Sequence, residues 1–393
     1  PASARPVSEL TTTSPEAYRH YTAGLLAHES WQLKEAAEEF EQAVQLDPEF
    51  ALAYCQLSNV YYFMTGGYSQ LRLAREYADK AWELRNRLGQ KDRLGLEVMW
   101  HQVHNRIQDA LAVNRERLER WPRDIAIRKE FIRQLEWYWY DDEEAEVARQ
   151  GMALYPDEWK FMDEFATYFS SRGKVEQAVG LYKSFLEKHP SVWEAWEGLY
   201  WVYRDAFLPD AAQMVADTVF ALNGNPTYHL KLTSYCDSSR GYIQQAIEKQ
   251  KQYLENGDLL PEERRGVFLS WWTQPTLCLL YQEIGQFEKA LEVLEDSARE
   301  MSGQQENLGF ENNKNRLLLR WGRAREVLRT SRALLNQPDA EEIQSWYTKE
   351  LVARALTALD STESADRVLG EILTYQEGGE AHAGISYMTN KIT

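Results

Sequence analysis

The 393-residue sequence predicts an all-α solenoid of about ten helix pairs, on three observations. Prolines that close helical segments recur at a fixed interval, Pro122, Pro156 and Pro190 each standing 34 residues from the next (122 to 156 to 190). The segments upstream of such prolines carry small or apolar residues at helical spacing, as at Ala36, Phe40 and Ala43 in LKEAAEEFEQAVQL (33–46) and at Ala178, Tyr182 and Phe185 in KVEQAVGLYKSFLEKH (174–189). No long low-complexity linker divides the pattern, so a chain of this length need not split into separate compact domains.

Each proline stops the helix before it because it cannot continue the hydrogen-bond ladder. Pro48 precedes Pro122 by 74 residues (48 to 122), two periods and six residues more, so one early pair must be long. The segment FMTGGYSQL (63–71) is the expected insertion, between the helices of the second pair. Extending the register starts pairs near residues 17, 51, 91, 125, 159, 193, 227, 262, 305 and 342. Residues 1–16 read as a flexible leader rich in Pro, Ser and Thr, with Ser14 and Pro15 suited to cap and start the first helix. Residues 17–376 form the array, and 377–393, EGGEAHAGISYMTNKIT, lacks a helical period and reads as a tail or cap. The chain begins at Pro1 rather than Met, which suggests processing or excision from a longer protein.

This layout resembles the tetratricopeptide repeat family. Gly24, Ala36, Phe40, Ala43 and Pro48 match the family's small, aromatic and helix-ending positions, and so do Tyr54, Leu57, Ser58 and Tyr61 in the next repeat and the turn glycines Gly173 and Gly285. The resemblance implies a right-handed superhelical solenoid of antiparallel helix pairs, with the first helix of each pair lining a concave surface. A second resemblance covers about the first 60 residues. VSELTTTSPEAYRHYTAGLLAHE running into AAEEFEQAVQLDPEFALAYCQLS is similar to repeat regions of bacterial multidomain protein kinases, adenylate cyclases and winged-helix regulators. It implies a sensor or interaction region of a bacterial signalling protein, either cytoplasmic or extracytoplasmic.

Composition narrows the function. With 44% hydrophobic residues and 14 Trp, a disordered chain is excluded. A formal charge of −17 disfavours a nucleic-acid backbone and favours a basic or neutral partner. Cys55, Cys236 and Cys278 are isolated and give neither a disulfide framework nor a zinc motif, and no apolar run reaches the ~18 residues of a membrane helix. The sequence holds no phosphate-binding loop, no GxSxG elbow and no Cys–His signature, so no catalytic residue, metal or cofactor is assigned.

The concave positions implied by the repeat register are rich in Tyr, Trp and Arg, the types that dominate binding hot spots. Tyr62, Arg133, Trp137 and Trp201 are expected there, with Arg204, Tyr228, Tyr235 and Trp272; Lys231 and Asp205 share the register. In WEAWEGLYWVYRDAF (193–207), Trp196, Leu199 and Tyr203 read as the packing face and Trp201, Arg204 and Asp205 as the contact face. In QLEWYWYDDEEAE (134–146), Trp137 faces the groove, its three aromatic neighbours pack the rim, and Asp141 or Asp142 caps the following helix. Arg316, Arg320 and Arg323 share a helical face as a candidate anion patch, with neutralisation of neighbouring acids as the alternative. Glu97, His101 and His104 stack at helical spacing, a weak metal pattern lacking a fourth ligand, and satisfied histidines are the simpler reading.

The expected function is a non-catalytic binding module that presents this groove to a protein or peptide, as a sensor or scaffold part of a larger system. A small-molecule or carbohydrate sensor is the alternative use of the same groove, and self-association a third.

Overall fold

The computed structural model of the chain describes residues 12–30, 32–64, 68–138, 140–256, 276–301, 308–336 and 342–377. All regular structure among them is helical. The helices come in pairs: α1 (Pro15–Glu29) with α2 (Leu33–Leu46), α3 (Ala51–Phe63) with α4 (Tyr68–Glu83), α5 (Gln90–Val103) with α6 (Ile107–Arg120), and α7 (Ile125–Trp137) with α8 (Asp141–Leu154). They continue with α9 (Trp159–Ser171) and α10 (Val175–Leu186), α11 (Trp193–Asp205) and α12 (Pro209–Asn223), and α13 (Pro226–Ser239) and α14 (Ile243–Asn256). The last pairs are α15 (Thr276–Glu283) with α16 (Phe287–Met301), α17 (Leu308–Arg320) with α18 (Ala324–Leu335), and α19 (Glu342–Thr357) with α20 (Thr362–Glu377). A short turn within each pair, such as 172–174, folds the second helix back on the first.

The punctuation works as physics requires. Pro48, Pro122, Pro156 and Pro190 all fall between pairs. The Ser14 hydroxyl accepts from the Ala17 amide with Pro15 in the first turn, and Asp124 and Asn225 cap α7 and α13 through the amides of Ile127 and Tyr228. Within most pairs the second residue past the first helix takes the left-handed conformation that closes the turn. It is glycine at Gly173 and Gly241, with φ of 70° and 82°, but Asn105 and Phe207 take the same conformation with φ of 58° and 55°.

Contacts divide the chain into two units, one holding α1–α6 and α17–α20, the other holding α7–α15 and most of α16. In the first unit, Tyr21, Phe40, Phe50 and Leu57 build a core across α1–α3. The first helices of adjacent pairs also touch, as α3 does with α5. Close approach fixes small residues: a Cβ on Gly24 would meet the Phe40 ring at 2.7 Å. In the second unit the fully buried Tyr182, Leu199, Tyr200 and Leu232 tie α10, α11 and α13 together, with α11 touching both α9 and α13.

One expectation shifts, in the second pair. The surplus residues of the second pair are not a loop spanning 63–71, because α3 runs to Phe63 and α4 starts at Tyr68; they lengthen α4 to 16 residues and form a 3-10 turn at Arg85–Arg87. The helix start near 262 falls outside the described residues, as do residues 1–11 of the leader and 378–393 of the tail.

Candidate functional site

A dense polar–aromatic arrangement of the second unit lies on α11 and α13. Helical spacing puts Glu197, Trp201 and Arg204 on one stripe of α11, and Tyr228, Lys231 and Tyr235 on one stripe of α13. Burial of the opposite faces sets these stripes outward. Leu199 and Tyr200 are buried on α11, and the Tyr200 hydroxyl donates to the Leu232 carbonyl at 2.7 Å, locking α11 to α13.

Trp201 is the centre. The Arg204 guanidinium lies 4.3 Å from its ring centre, the Lys231 ammonium 5.9 Å, and Tyr235 meets it edge-on at 5.9 Å. Arg204 is also 5.5 Å from the Tyr235 ring, and its Nε donates to Asp205 Oδ1 at 2.7 Å. Glu197 Oε1 accepts from the Trp201 indole at 3.2 Å and from the Tyr228 hydroxyl. Lys231 sits 5.3 Å over the Tyr228 ring, whose other neighbour is Trp193 at 6.3 Å. At the far end the Tyr235 hydroxyl meets Thr276 Oγ1 of α15 at 2.8 Å.

The electrostatics follow from partial desolvation. Burial draws the Lys231 ammonium below the usual lysine range, Glu197 opposes that shift, and Arg204 adds to it. Burial and Glu197 push the Tyr228 phenol upward, so it stays a hydrogen-bond donor. A half-buried carboxylate, an ammonium and a guanidinium set among ring faces have the chemistry to stack on planar or apolar groups and to form charge-assisted hydrogen bonds.

Of the residues expected in the groove, Trp201, Arg204, Tyr228 and Tyr235 come together here. Arg133 and Trp137 stand on α7, both exposed, Trp137 by 44%. Tyr62 belongs to the other unit, where it packs half-buried against the α1–α5 core. Trp272 lies outside the described residues. Glu197 and Thr276 were missed, although Glu197 stands four residues into its pair (193 to 197) as Lys231 does (227 to 231).

In the stretch at 134–146 one expectation fails, the capping of α8. Trp137 ends α7 and Tyr138 is buried. Asp141 and Asp142 do not cap α8: Tyr140 precedes the helix without a side-chain cap, and both acids pair with Arg172 of the α9–α10 turn, at 3.7 and 3.1 Å. The Tyr168 hydroxyl adds a bond to Asp142 at 2.9 Å, and the Arg172 guanidinium lies 3.8 Å over its ring. A carboxylate cluster follows, in which burial, Glu164 and Glu136 raise the Glu144 carboxyl, while Lys160 holds Glu164 at 2.8 Å.

The arginine patch is also corrected. Arg316 and Arg320 are on α17, which ends at Arg320; Arg323 lies past the turn, pairs with Glu326 and sits 5.0 Å over Trp321, so the three share no helical face. Glu97, His101 and His104 do not converge either. His101 is 3.9 Å from Glu97 and 3.8 Å from Asp109 through opposite ring nitrogens, while His104 Nδ1 is given to the Trp100 carbonyl at 2.8 Å. Among the described residues no group of three such side chains could hold a metal.

Comparison with known proteins bears on the fold. Residues 27–64 match the TPR repeat family model. Yeast Tom70 has a similar structure, with 11% identity, 91% of this chain and 85% of that chain covered, and a TM-score of 0.50. A tetratricopeptide repeat protein from Parabacteroides merdae shares 12% identity over 68% of this chain and all of its own, with a TM-score of 0.46. The human IFIT1 dimer with m7Gppp-AAAA shares 14% over 94% and 92%, also at 0.46. No curated protein matches the chain in sequence. The chain thus has an all-helical repeat fold like that of yeast Tom70, with one match to the TPR repeat model at residues 27–64, and no helix among its described residues is long and apolar enough to cross a membrane.

Proposed function

We propose that the chain is a non-catalytic binding module whose α11–α13–α15 face receives a peptide segment of a protein partner, as the sensor or scaffold part of a larger system. The observation that carries this reading is Trp201, with the Arg204 and Lys231 cations over its ring and Tyr235 against it edge-on. Rings fixed by their own hydrogen bonds lose little conformational freedom when a partner stacks on them, which is what makes Trp, Tyr and Arg effective anchors. The charge of −17 and the Glu197 carboxylate favour a basic or neutral segment.

A small-molecule or carbohydrate ligand is the second reading, favoured by the Tyr228, Tyr235 and Thr276 hydroxyls beside the Trp201 ring. Intrinsic tryptophan fluorescence, titrated with a peptide library and with a panel of sugars, separates the two. The peptide reading expects saturable binding of peptides that Trp201→Ala and Arg204→Ala weaken at least tenfold. It fails if peptides bind both variants as they bind the unaltered protein, and the sugar reading replaces it if only sugars titrate.

A further inference from the structure

The α11–α12 turn places a bulky ring in the left-handed conformation that its counterparts give to glycine, Asn105 or Asp360. Gly173, Gly241, Gly285 and Gly322 hold the left-handed position in their turns, where a Cβ would crowd the backbone. Phe207 holds it here, with φ of 55° and its side chain 81% exposed. A bulky residue in that conformation is strained, and an exposed ring gains nothing from burial, so Phe207 serves neither the turn nor the core.

Its surroundings are apolar and acidic. Leu208 is exposed beside it, and Tyr242 is exposed at the matching place of the α13–α14 turn. The two turns lie side by side, because Arg240 Nη2 reaches Asp210 Oδ1 at 2.9 Å and the Pro209 carbonyl at 3.3 Å. Asp205 and Asp210 rim the patch, and Arg204 and Arg240 bond them through Oδ1 alone. Strained, exposed and flanked by carboxylates, this edge has the character of an interaction surface.

We propose that the edge formed by Phe207, Leu208 and Tyr242 docks a basic amphipathic segment of a partner protein. Apolar side chains of the segment seat on the three residues, and flanking lysines or arginines reach the carboxylates of Asp205 and Asp210. The charge of −17 opposes a second copy at this edge and favours a cationic segment. The surface adjoins the Trp201 face through Asp205, which also bonds Arg204, but its apolar residues lie in the two turns and do not include Trp201.

A labelled amphipathic peptide of leucine and lysine, followed by fluorescence anisotropy, tests the proposal against a leucine–glutamate peptide of the same pattern. The basic peptide is expected to bind, Phe207→Gly to weaken it about tenfold or more, and Asp205→Asn with Asp210→Asn to weaken it and flatten its salt dependence. Phe207→Gly relieves the turn, so its Tm should equal or exceed that of the unaltered protein, and Trp201→Ala should leave this peptide's affinity unchanged. Equal binding to Phe207→Gly, equal binding of the acidic peptide, or loss through Trp201→Ala alone would overturn the assignment. So would a lowered Tm for Phe207→Gly, or a self-association in sedimentation that this variant abolishes.

Discussion

The Arg204 guanidinium lies 4.3 Å from the centre of the Trp201 ring, while Asp205, its neighbour in sequence, holds it there by bonds to Nε and Nη2. The stack is half-exposed, so its worth is modest. A double-mutant cycle of Trp201→Ala and Arg204→Met in urea denaturation should give a coupling of about 0.5–1 kcal/mol. Strict additivity of the two single changes would show that the stack contributes nothing.

Gly198 sits where α11 crosses its predecessors. A Cβ there would collide with the Tyr182 hydroxyl and stand 2.6 Å from Asp163 Oδ1, the two groups joined by a 2.6 Å hydrogen bond. Neither can retreat easily, since Tyr182 is fully buried and Asp163 also meets Lys160 at 3.1 Å. Gly198→Ala should therefore destabilise by about 1–3 kcal/mol, read as a lower urea midpoint with an unchanged slope. The nearby Gly180 has open space around its Cβ position, so Gly180→Ala should cost nothing or stabilise the helix slightly, and the same loss at both sites would refute the packing account.

The contrast between those glycines marks what the sequence could convey. Helix starts were legible, with α3, α7, α9 and α11 beginning at 51, 125, 159 and 193, because proline and the apolar period act within one repeat. Contacts made across repeats were not. Asp142 looks like a helix cap from its neighbours, yet its partner Arg172 is 30 residues away, and no local pattern announces that. Most of the candidate site, but not all of it, was visible for a related reason. Trp201, Arg204, Tyr228 and Tyr235 stand out by residue type, whereas Glu197 is one of 61 acids and acquires its role only when the Trp201 indole and the Tyr228 hydroxyl converge on it.

Glu144 should make stability fall as pH rises. Burial, with Glu164 and Glu136 nearby, lifts its carboxyl from 4.5 to about 8. Between those values the folded protein keeps a proton that the unfolded chain releases, so this contribution is complete below about pH 4.5 and is lost as pH passes through about 8. Glu144 is only half-buried, which limits the effect to on the order of 1–2 kcal/mol. Glu144→Gln keeps the shape without the charge and should be more stable than the parent at pH 8 but not at pH 4.5. A constant offset across that range in denaturant titrations would rule the carboxyl out.

His101 should act in the opposite direction on the acid side. Burial holds its imidazole below the usual 6.5, against Asp109 and Glu97, which favour the charged form, and with Arg106 and His104, which oppose it. The Trp100 ring packs edge-on at 5.4 Å. Because the unfolded chain takes up the proton first, the stability from neutral His101 is present above pH 6.5 and declines as pH falls through the folded value. His101→Phe cannot charge, so it should lose less stability between pH 7 and pH 5 than the parent, when Glu144→Gln is the common background that removes the opposing slope. Nuclear magnetic resonance titration of the imidazole supplies the independent check. A midpoint at or above 6.5 would mean that Glu97 and Asp109 outweigh burial, and the acid-side loss would then have to come from another group.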